Sequence, residues 1–521
     1  MRKAIVWVAL LGLAGCVQNP GRQLVTAVAG GSPPAHHFSG PAEQRTVAAI
    51  ARIEQVDPHL HAVIALDPTA MTQARRVDVS RVGGPLAGQP VLLKDNIEAA
   101  GPLPTTAGSL ALANNVTNRD APLVARLRSA GAVILGKSNL SEWANIRSNA
   151  SISGWSAVGG QTRNPWALDR NTCGSSSGSA AAVAGGYVRF AIGTETDGSV
   201  TCPAAINGIV GLKPTVGLVS RTYIVPISHS QDTAGPMTPT VREAAELLTV
   251  IAGRDAADPA TAEADRHKQD YAAALDANAL NGTRIGIMRF ATGFGTDAAF
   301  EAALNVLRAK GATLVDIKSF DDKAIGDNEN LVLLTEFKAD LADYLRGSPA
   351  AIPIRSLADA IAFNKAHAAR EMPLFGQEVF EEAQATKGLG NAAYKKARAV
   401  SFRAAGPNGI DRLLKTHRVI ALVGPTMPPA WKIDAVNGDQ ISGGGAGSLA
   451  AVAGYPHLTV PMGLVKGLPV GLSFMGAKWS DALMLSLGFA YEQARGPFPT
   501  PQYYRSIEDS PLIAPALEPV R

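Results

Sequence analysis

Short apolar runs bounded by turn residues alternate along this chain with stretches whose apolar positions recur at helical spacing. Thr46 to Glu54 has the 3.6-residue period of an amphipathic helix, and Asp57-Pro58 is expected to end it. Val63-Ile-Ala-Leu66 predicts a short strand, and the residues after Asp67-Pro68 a second helix. Gly88-Gln-Pro-Val-Leu-Leu93 is apolar without alternation, the pattern of a strand covered on both faces. The same logic gives a helix over Ala121 to Ser129, a strand at Ala132 to Leu135, a small-residue helix at Gly178 to Ala184 and a strand at Val188 to Ile192. From about Asp255 to Thr416 the chain is more helical and more charged, with one helix and strand pair at Asp297 to Ala309 and Thr313 to Ile317. Late strands follow at Val419 to Val423 and Pro469 to Phe474, and Ala482 to Arg495 predicts a closing helix. There is no internal repeat. Alternation of this kind predicts an α/β fold, one large domain whose mixed, mostly parallel β-sheet is covered by helices.

The amino terminus has a different pattern. Arg2 and Lys3 precede an apolar run from Ala4 to Leu11, and Leu13-Ala-Gly-Cys16 closes it. The run is shorter than the roughly 20 apolar residues that span a bilayer, so it predicts a secretory signal over residues 1–15. Its last four residues resemble a bacterial lipobox, which implies lipidation of Cys16 and a mature chain anchored by that cysteine alone to a bacterial membrane, or else free in the periplasm. Residues 16–40, rich in Gly, Pro, Ser and Ala, predict a flexible spacer, and residues 41–521 the folded domain.

Composition adds exclusions more than assignments. The 521 residues are 46% hydrophobic and 18% charged, and the formal charge of +4 falls to +2 once residues 1–15 are removed. No basic run suggests a nucleic-acid surface. Of three cysteines, Cys173 and Cys202 remain beside Cys16; a bridge between them is possible, and two small buried thiols are the expectation. No histidine pair has metal-ligand spacing, His36-His37 falls in the spacer, and Gly443-Gly-Gly445 lacks the lysine of a phosphate loop. Neither a metal nor a cofactor is implied, and the domain is expected to be a monomer.

Chemistry concentrates in three segments. Pro90-Val-Leu-Leu-Lys94 ends an apolar run on a lysine, Cys173-Gly-Ser175-Ser-Ser-Gly178 is a serine-rich turn, and Gly193-Thr-Glu-Thr-Asp197-Gly-Ser199 is a polar turn after a strand. A free lysine is neutral in about one molecule in 2,500 at pH 7, and burial lowers its pKa by up to about 3 to 5 units, so Lys94 is a candidate base. Asp95 would oppose this, but neighbours on a strand face opposite ways. Ser199 is the candidate nucleophile, and the turn before it can aim the N–H groups of Thr196, Asp197 and Gly198 at an oxyanion. Gly174-Ser-Ser176-Ser-Gly178 also satisfies the nucleophile-elbow pattern centred on Ser176, which requires a preceding strand and a later histidine such as His457. Asn164 to Asn171 has little strand character, which argues against that reading.

These segments resemble the amidase signature family from roughly Pro41 through Ala494. The core is Gly174 to Thr215, with support from Leu92 to Asn96, Asn139 to Trp143, Asp232 to Met237 and Gly467 to Leu472. The resemblance implies that Lys94 is the general base, Ser175 the bridging serine on a cis peptide, and Ser199 the acyl-forming nucleophile. Thr196, Asp197, Gly198 and Ser176 would then surround the oxyanion and substrate. Cys173 and Ser177 stand where many members carry glycine, Glu195 where many carry aspartate and Asp197 where many carry glycine, without touching the three catalytic positions. These variants look most like bacterial peptide amidases, which implies hydrolysis of C-terminal peptide amides to acid and ammonia; a general aliphatic or aryl acyl amidase is the alternative. The family's tRNA-dependent amidotransferases, which act on charged tRNA, have cytoplasmic partners, at odds with export. A lipid-anchored binding subunit without turnover is at odds with the intact Lys94, Ser175 and Ser199.

Overall fold

In the computed structural model, residues 40–80, 82–443, 445 and 447–519 are described. The signal, Cys16 and nearly all of the spacer lie outside them. Thirteen strands form in chain order: β1 (Val63–Leu66), β2 (Pro90–Lys94), β3 (Val133–Ser138), β4 (Trp155–Ser156), β5 (Gly160–Gln161), β6 (Phe190–Glu195), β7 (Val210–Lys213), β8 (Thr233–Thr238), β9 (Arg284–Met288), β10 (Thr313–Ile317), β11 (Ala421–Pro425), β12 (His457–Val465) and β13 (Leu468–Met475). Eleven make one sheet in the order β1-β3-β2-β6-β8-β7-β12-β13-β11-β9-β10, and β4 and β5 make a separate hairpin.

The sheet is mixed. Parallel order holds in the flanks, where β3, β2 and β6 run together and β11, β9 and β10 run together. Its centre, from β6 to β11, is antiparallel. Connection length explains part of this: β12 and β13 are joined by the two residues Lys466 and Gly467, which permits only a hairpin. β2, β3 and β6 are buried along their whole length, as their unbroken apolar runs require.

Each face of the sheet carries its own core. Val91 and Leu93 pack with the helices Pro122–Ser129, Val241–Ile251, Asp297–Ala309 and Asp481–Arg495, whereas Leu92 packs with Ala42–Leu60 and Ser177–Ala184. This period of two decides the fate of the next two residues: Lys94 follows Leu92 toward the helix Ser177–Ala184, and Asp95 follows Leu93 to the other side. All eight residues of that helix are buried. A Cβ on Gly178 would stand 2.2 Å from the Ala62 carbonyl oxygen and 2.5 Å from the Asn139 nitrogen, so only glycine lets the helix start this close to the sheet.

Two expectations are corrected here. Ala42–Leu60 continues through Asp57-Pro58, because the proline falls in the last turn and the helix closes instead at His61 in the left-handed region. The Asp57 carboxylate accepts from the Ala62 and Val63 N–H groups just beyond, at 2.7 and 3.3 Å. Cys173 and Cys202 form a disulfide rather than remaining two thiols, their Cα atoms being 6.1 Å apart. Spacing in the sequence did not reveal that the helix Thr201–Asn207 turns back onto the serine loop.

The region 255–416 is helical as expected, with Lys323–Gly347, Leu357–Ala366, Glu378–Ala385 and Ala392–Ala405 added to β9 and β10. Leu334, Phe337 and Leu341 of the first join Phe380 and Trp143 in a satellite core beside the site. Closing a loop of 29 residues, the disulfide is expected to contribute about 3–4 kcal/mol. Cys202→Ser should therefore lower the urea midpoint clearly, and reductant should shift the wild type but not the variant; equal midpoints would show that the bridge carries no stability.

Candidate active site

Lys94 is the last residue of β2 and has no solvent exposure. Its Nζ donates to Ser175 Oγ at 2.7 Å, to Thr194 Oγ1 at 2.9 Å and to the Thr194 carbonyl at 3.1 Å. Burial lowers its pKa from the usual value to about 7, against the opposing pull of the Asp232 and Glu195 charges. About half the molecules then hold a neutral amine at pH 7. Asp95 takes no part in this, since it lies across the sheet and pairs with buried Lys137 at 3.2 Å and with Thr106.

Ser175 and Ser176 precede the helix Ser177–Ala184, and the Gly174–Ser175 peptide is cis. Ser176 Oγ donates to the Thr194 carbonyl at 3.0 Å and accepts the Thr194 N–H at 3.2 Å, so its hydroxyl is committed to holding β6. Its N–H donates to the Ser199 carbonyl at 3.1 Å, which ties the two serine turns together. Ser199 is 8% exposed. Among the described residues no hydrogen bond joins Ser175 Oγ to Ser199 Oγ.

The turn itself is braced from below. Glu195 accepts from the Val200 and Thr201 N–H groups at 2.7 and 2.9 Å, and Gly198 supplies a left-handed φ of 76°. Among the described residues the N–H groups of Asp197, Gly198 and Ser199 have no protein acceptor, so they are free to receive one. The Asp197 carboxyl faces that of Glu329, and Glu329 lines a cavity of about 640 Å³ walled by Phe290, Phe294, Phe320 and Leu449. Burial, reinforced at Asp197 by the Glu329 and Glu195 charges, makes this pair retain a proton above the usual carboxylate range.

The nucleophile-elbow alternative does not fit. No strand runs into Ser176, because residues 164–171 are loop and turn. His457 is buried on β12, bonded through Nε2 to Ser473 Oγ at 2.7 Å, and burial with Lys213 nearby lowers its pKa to about 3.

Comparison with known proteins accounts for this arrangement. The Amidase family matches residues 44–485. The chain belongs to the amidase signature family. It is similar to a peptide amidase solved in complex with the competitive inhibitor chymostatin, with 52% identity and a TM-score of 0.86 over 91% of this chain and 97% of that one. The native peptide amidase of Stenotrophomonas maltophilia matches at 50% identity with a TM-score of 0.85, over 93% of this chain and 98% of that one. A probable amidase of Arabidopsis thaliana is 40% identical over 85% of this chain and 84% of its own length.

As an amidase, the chain has a site that extends beyond the residues expected from sequence. Thr194, Asn96, Glu195 and Asp232 surround Lys94, and none announces itself by motif alone. Glu195 and Asp232 could have been suspected as acids inside two of the matching segments. The block Asn139 to Trp143 proves structural: Glu142 accepts from buried Arg147 at 2.6 Å, and Arg147 lies 4.3 Å from the Phe375 ring and also bonds the Glu371 carbonyl. One cluster of metal-ligand type exists among the described residues, His229 with Glu336 and Asp340. Its members already pair with one another, His229 Nδ1 lying 2.9 Å from Asp340.

The buried amine has a cost that pH reveals. Below pH 7 the native state holds a charged, desolvated Lys94, and between pH 7 and 10.5 the unfolded chain binds the extra proton, so this residue's contribution to stability rises with pH across that window. Lys94→Met is expected to be more stable than wild type at pH 6, with the advantage shrinking toward pH 10; denaturant melts across that range check it, and a constant difference would contradict the depressed pKa.

Proposed function

We propose that this amidase cleaves carboxylic amides through a Lys94, Ser175, Ser199 relay and an acyl-enzyme, with C-terminal peptide amides as substrates. The reading is carried by one contact, the 2.7 Å hydrogen bond from a fully buried amine to Ser175 Oγ. Neutral Lys94 accepts the Ser175 proton while Ser175 takes that of Ser199, and Ser199 Oγ bonds to the amide carbon. The oxyanion is received by the N–H groups from Thr196 to Ser199, and the proton returns through Ser175 to the nitrogen as its bond to carbon breaks. Ammonia leaves, and a water deprotonated along the same route releases the acid. A Ser175 to Ser199 hydrogen bond would form as substrate docks, since catalytic contacts commonly complete only in the substrate complex.

Peptide amides are favoured over simple aliphatic or aryl amides by the 50–52% identity to peptide amidases and by the large, aromatic-walled cavity lined by Glu329, the residue that faces Asp197. We read the enzyme as exported and monomeric, without a nucleic-acid partner, and attached to a membrane only through Cys16 where that residue is lipidated. The Cys173–Cys202 disulfide suits an oxidising compartment, and no described helix is long and apolar enough to cross a membrane.

Lys94→Ala should lower kcat for a peptide amide by at least about 10²–10⁴ with the fold retained, and Ser199→Ala should abolish labelling by a fluorophosphonate. Full activity in Lys94→Ala would sink the relay, and faster ammonia release from simple aryl amides than from peptide amides would sink the substrate assignment. Metabolic labelling with palmitate in a bacterial host should mark the wild type and spare Cys16→Ser; no label on either would remove the anchor.

A further inference from the structure

Lys94 touches Ser175 on one side and Thr194 on the other. Thr194 Oγ1 also accepts Asn96 Nδ2 at 2.9 Å, and Asn96 Oδ1, in a residue only 2% exposed, has no protein donor. Beside Asn96 and Thr194 lies a chamber of about 30 Å³, also bounded by Thr196, Ile224, Asp232 and Thr233. A water needs about 10–15 Å³ and two or more polar partners, and this chamber supplies both.

Asp232 also lines a second, outer cavity of about 460 Å³, with Arg119, Arg221, Tyr223, His229 and Asp340. It therefore stands where the chamber meets this vestibule. Its Oδ1 accepts from Thr196 Oγ1 at 2.6 Å, and its Oδ2 from the Ile227 and Ser228 N–H groups at 2.8 and 2.9 Å. The nearby cations are held by other acids. Arg221 makes bonds of 2.6 and 2.9 Å to Asp258, Arg119 is clamped by Glu98, and His229 pairs with Asp340 and Glu336. On its inner side Asp232 shares the chamber with Thr194 and Asn96, and Thr194 bonds the Lys94 amine; the Asp232 charge raises the pKa of that amine, as does Glu195, already bound to the Val200 and Thr201 N–H groups.

We propose that the chamber holds an ordered water bonded to Asn96, and that Asp232, acting beside it, is a positioning residue that keeps Lys94 basic enough to hold the proton taken from Ser175. This deepens the relay and rests on it. A buried lysine left to desolvation alone becomes too weak a base to receive a hydroxyl proton, whereas a base whose pKa lies near the working pH is optimal. An acid in this place restores basicity without touching substrate. Burial raises the Asp232 pKa to about 6, against the Thr196, Ser228 and Ile227 hydrogen bonds and the Arg221 charge, so the acid is ionised in the range where Lys94, held at about 7, takes up its proton.

The sign follows directly. Removing the Asp232 charge withdraws stabilisation from protonated Lys94, so the amine deprotonates at lower pH and the acid limb moves acidward. The test is the pH dependence of kcat/KM for a peptide amide, using the intact chain as wild type, Asp232→Asn, Asp232→Glu and Lys94→Ala. Asp232→Asn keeps the side-chain shape and should move the limb acidward by about one unit, with lower rates at high pH as the weaker base takes effect. Asp232→Glu should bring the limb back toward wild type. A limb that stays in place while the rate drops uniformly would overturn the proposal, reducing Asp232 to a support for Thr196. A limb that persists in Lys94→Ala would overturn the relay itself, a separate failure. A high-resolution crystal structure should show a water within hydrogen-bond distance of Asn96 Oδ1, and a chamber filled by protein atoms would overturn that half of the proposal.

Discussion

An amine removed from water at the end of β2 is the constraint around which the rest of the structure is arranged. Desolvation depresses its pKa, the Asp232 and Glu195 carboxylates oppose the fall, and the balance leaves the amine near half-neutral at pH 7. Neither force alone would serve. With full desolvation and no acid nearby, the amine would be always neutral and too weak to take a hydroxyl proton. With an acid in direct contact it would be permanently charged, as an ion-paired ammonium is. The fold avoids the second outcome by giving Asp95, the acid nearest in sequence, a lysine of its own across the sheet.

That separation depends on strand geometry rather than on any single contact. Leu92 and Lys94 face the helix Ser177–Ala184, while Leu93 and Asp95 face away, and a one-residue slip of β2 would exchange their environments. Parallel pairing of β2 with both β3 and β6 locks the register and brings the strand ends to one edge of the sheet. Ligands of open α/β sheets bind beyond such carboxyl ends, and here the same ends carry Lys94, Thr194 and Glu195. Gly178 completes the arrangement, since a side chain there would hold the serine loop away from the lysine.

Much of this was legible in the sequence, for identifiable reasons. The apolar run before Lys94 and the turns around Ser175 and Ser199 are local signals, and the strand and helix alternation is periodic, so both survive reading one residue at a time. What escaped reading was partnership. The bond from Lys94 to Thr194 spans 100 positions. Asp232 comes beside Thr194 and Asn96 only because β8 pairs with β6, and the disulfide forms only because the helix Thr201–Asn207 folds back on the serine loop. The middle of the sheet is antiparallel although its flanks are parallel, and nothing in the composition of β7, β8 and β12 distinguishes one direction from the other. Pro58 misled for a different reason: the bond it removes, to the Glu54 carbonyl, is lost only in the helix's last turn, and the Asp57 carboxylate fixes the chain just beyond through the Ala62 and Val63 N–H groups.

The helical region 255–416 gives the site its remaining character by approaching it from two directions. Through Glu329 it meets Asp197 in the turn before Ser199 and lines the aromatic-walled cavity. Through Asp340 it reaches His229 and shapes the vestibule that ends at Asp232. Both residues sit on the helix Lys323–Gly347, so one rigid element fixes the acyl side and the base side of the site together. A displacement of that helix would disturb the carboxyl pair in the turn before Ser199 and the vestibule at Asp232 at once. Phe337 and Leu341, on either side of Asp340, anchor the helix against Phe380. A region without a readable catalytic motif is thereby packed so that its acids border both the turn before Ser199 and the vestibule at Asp232.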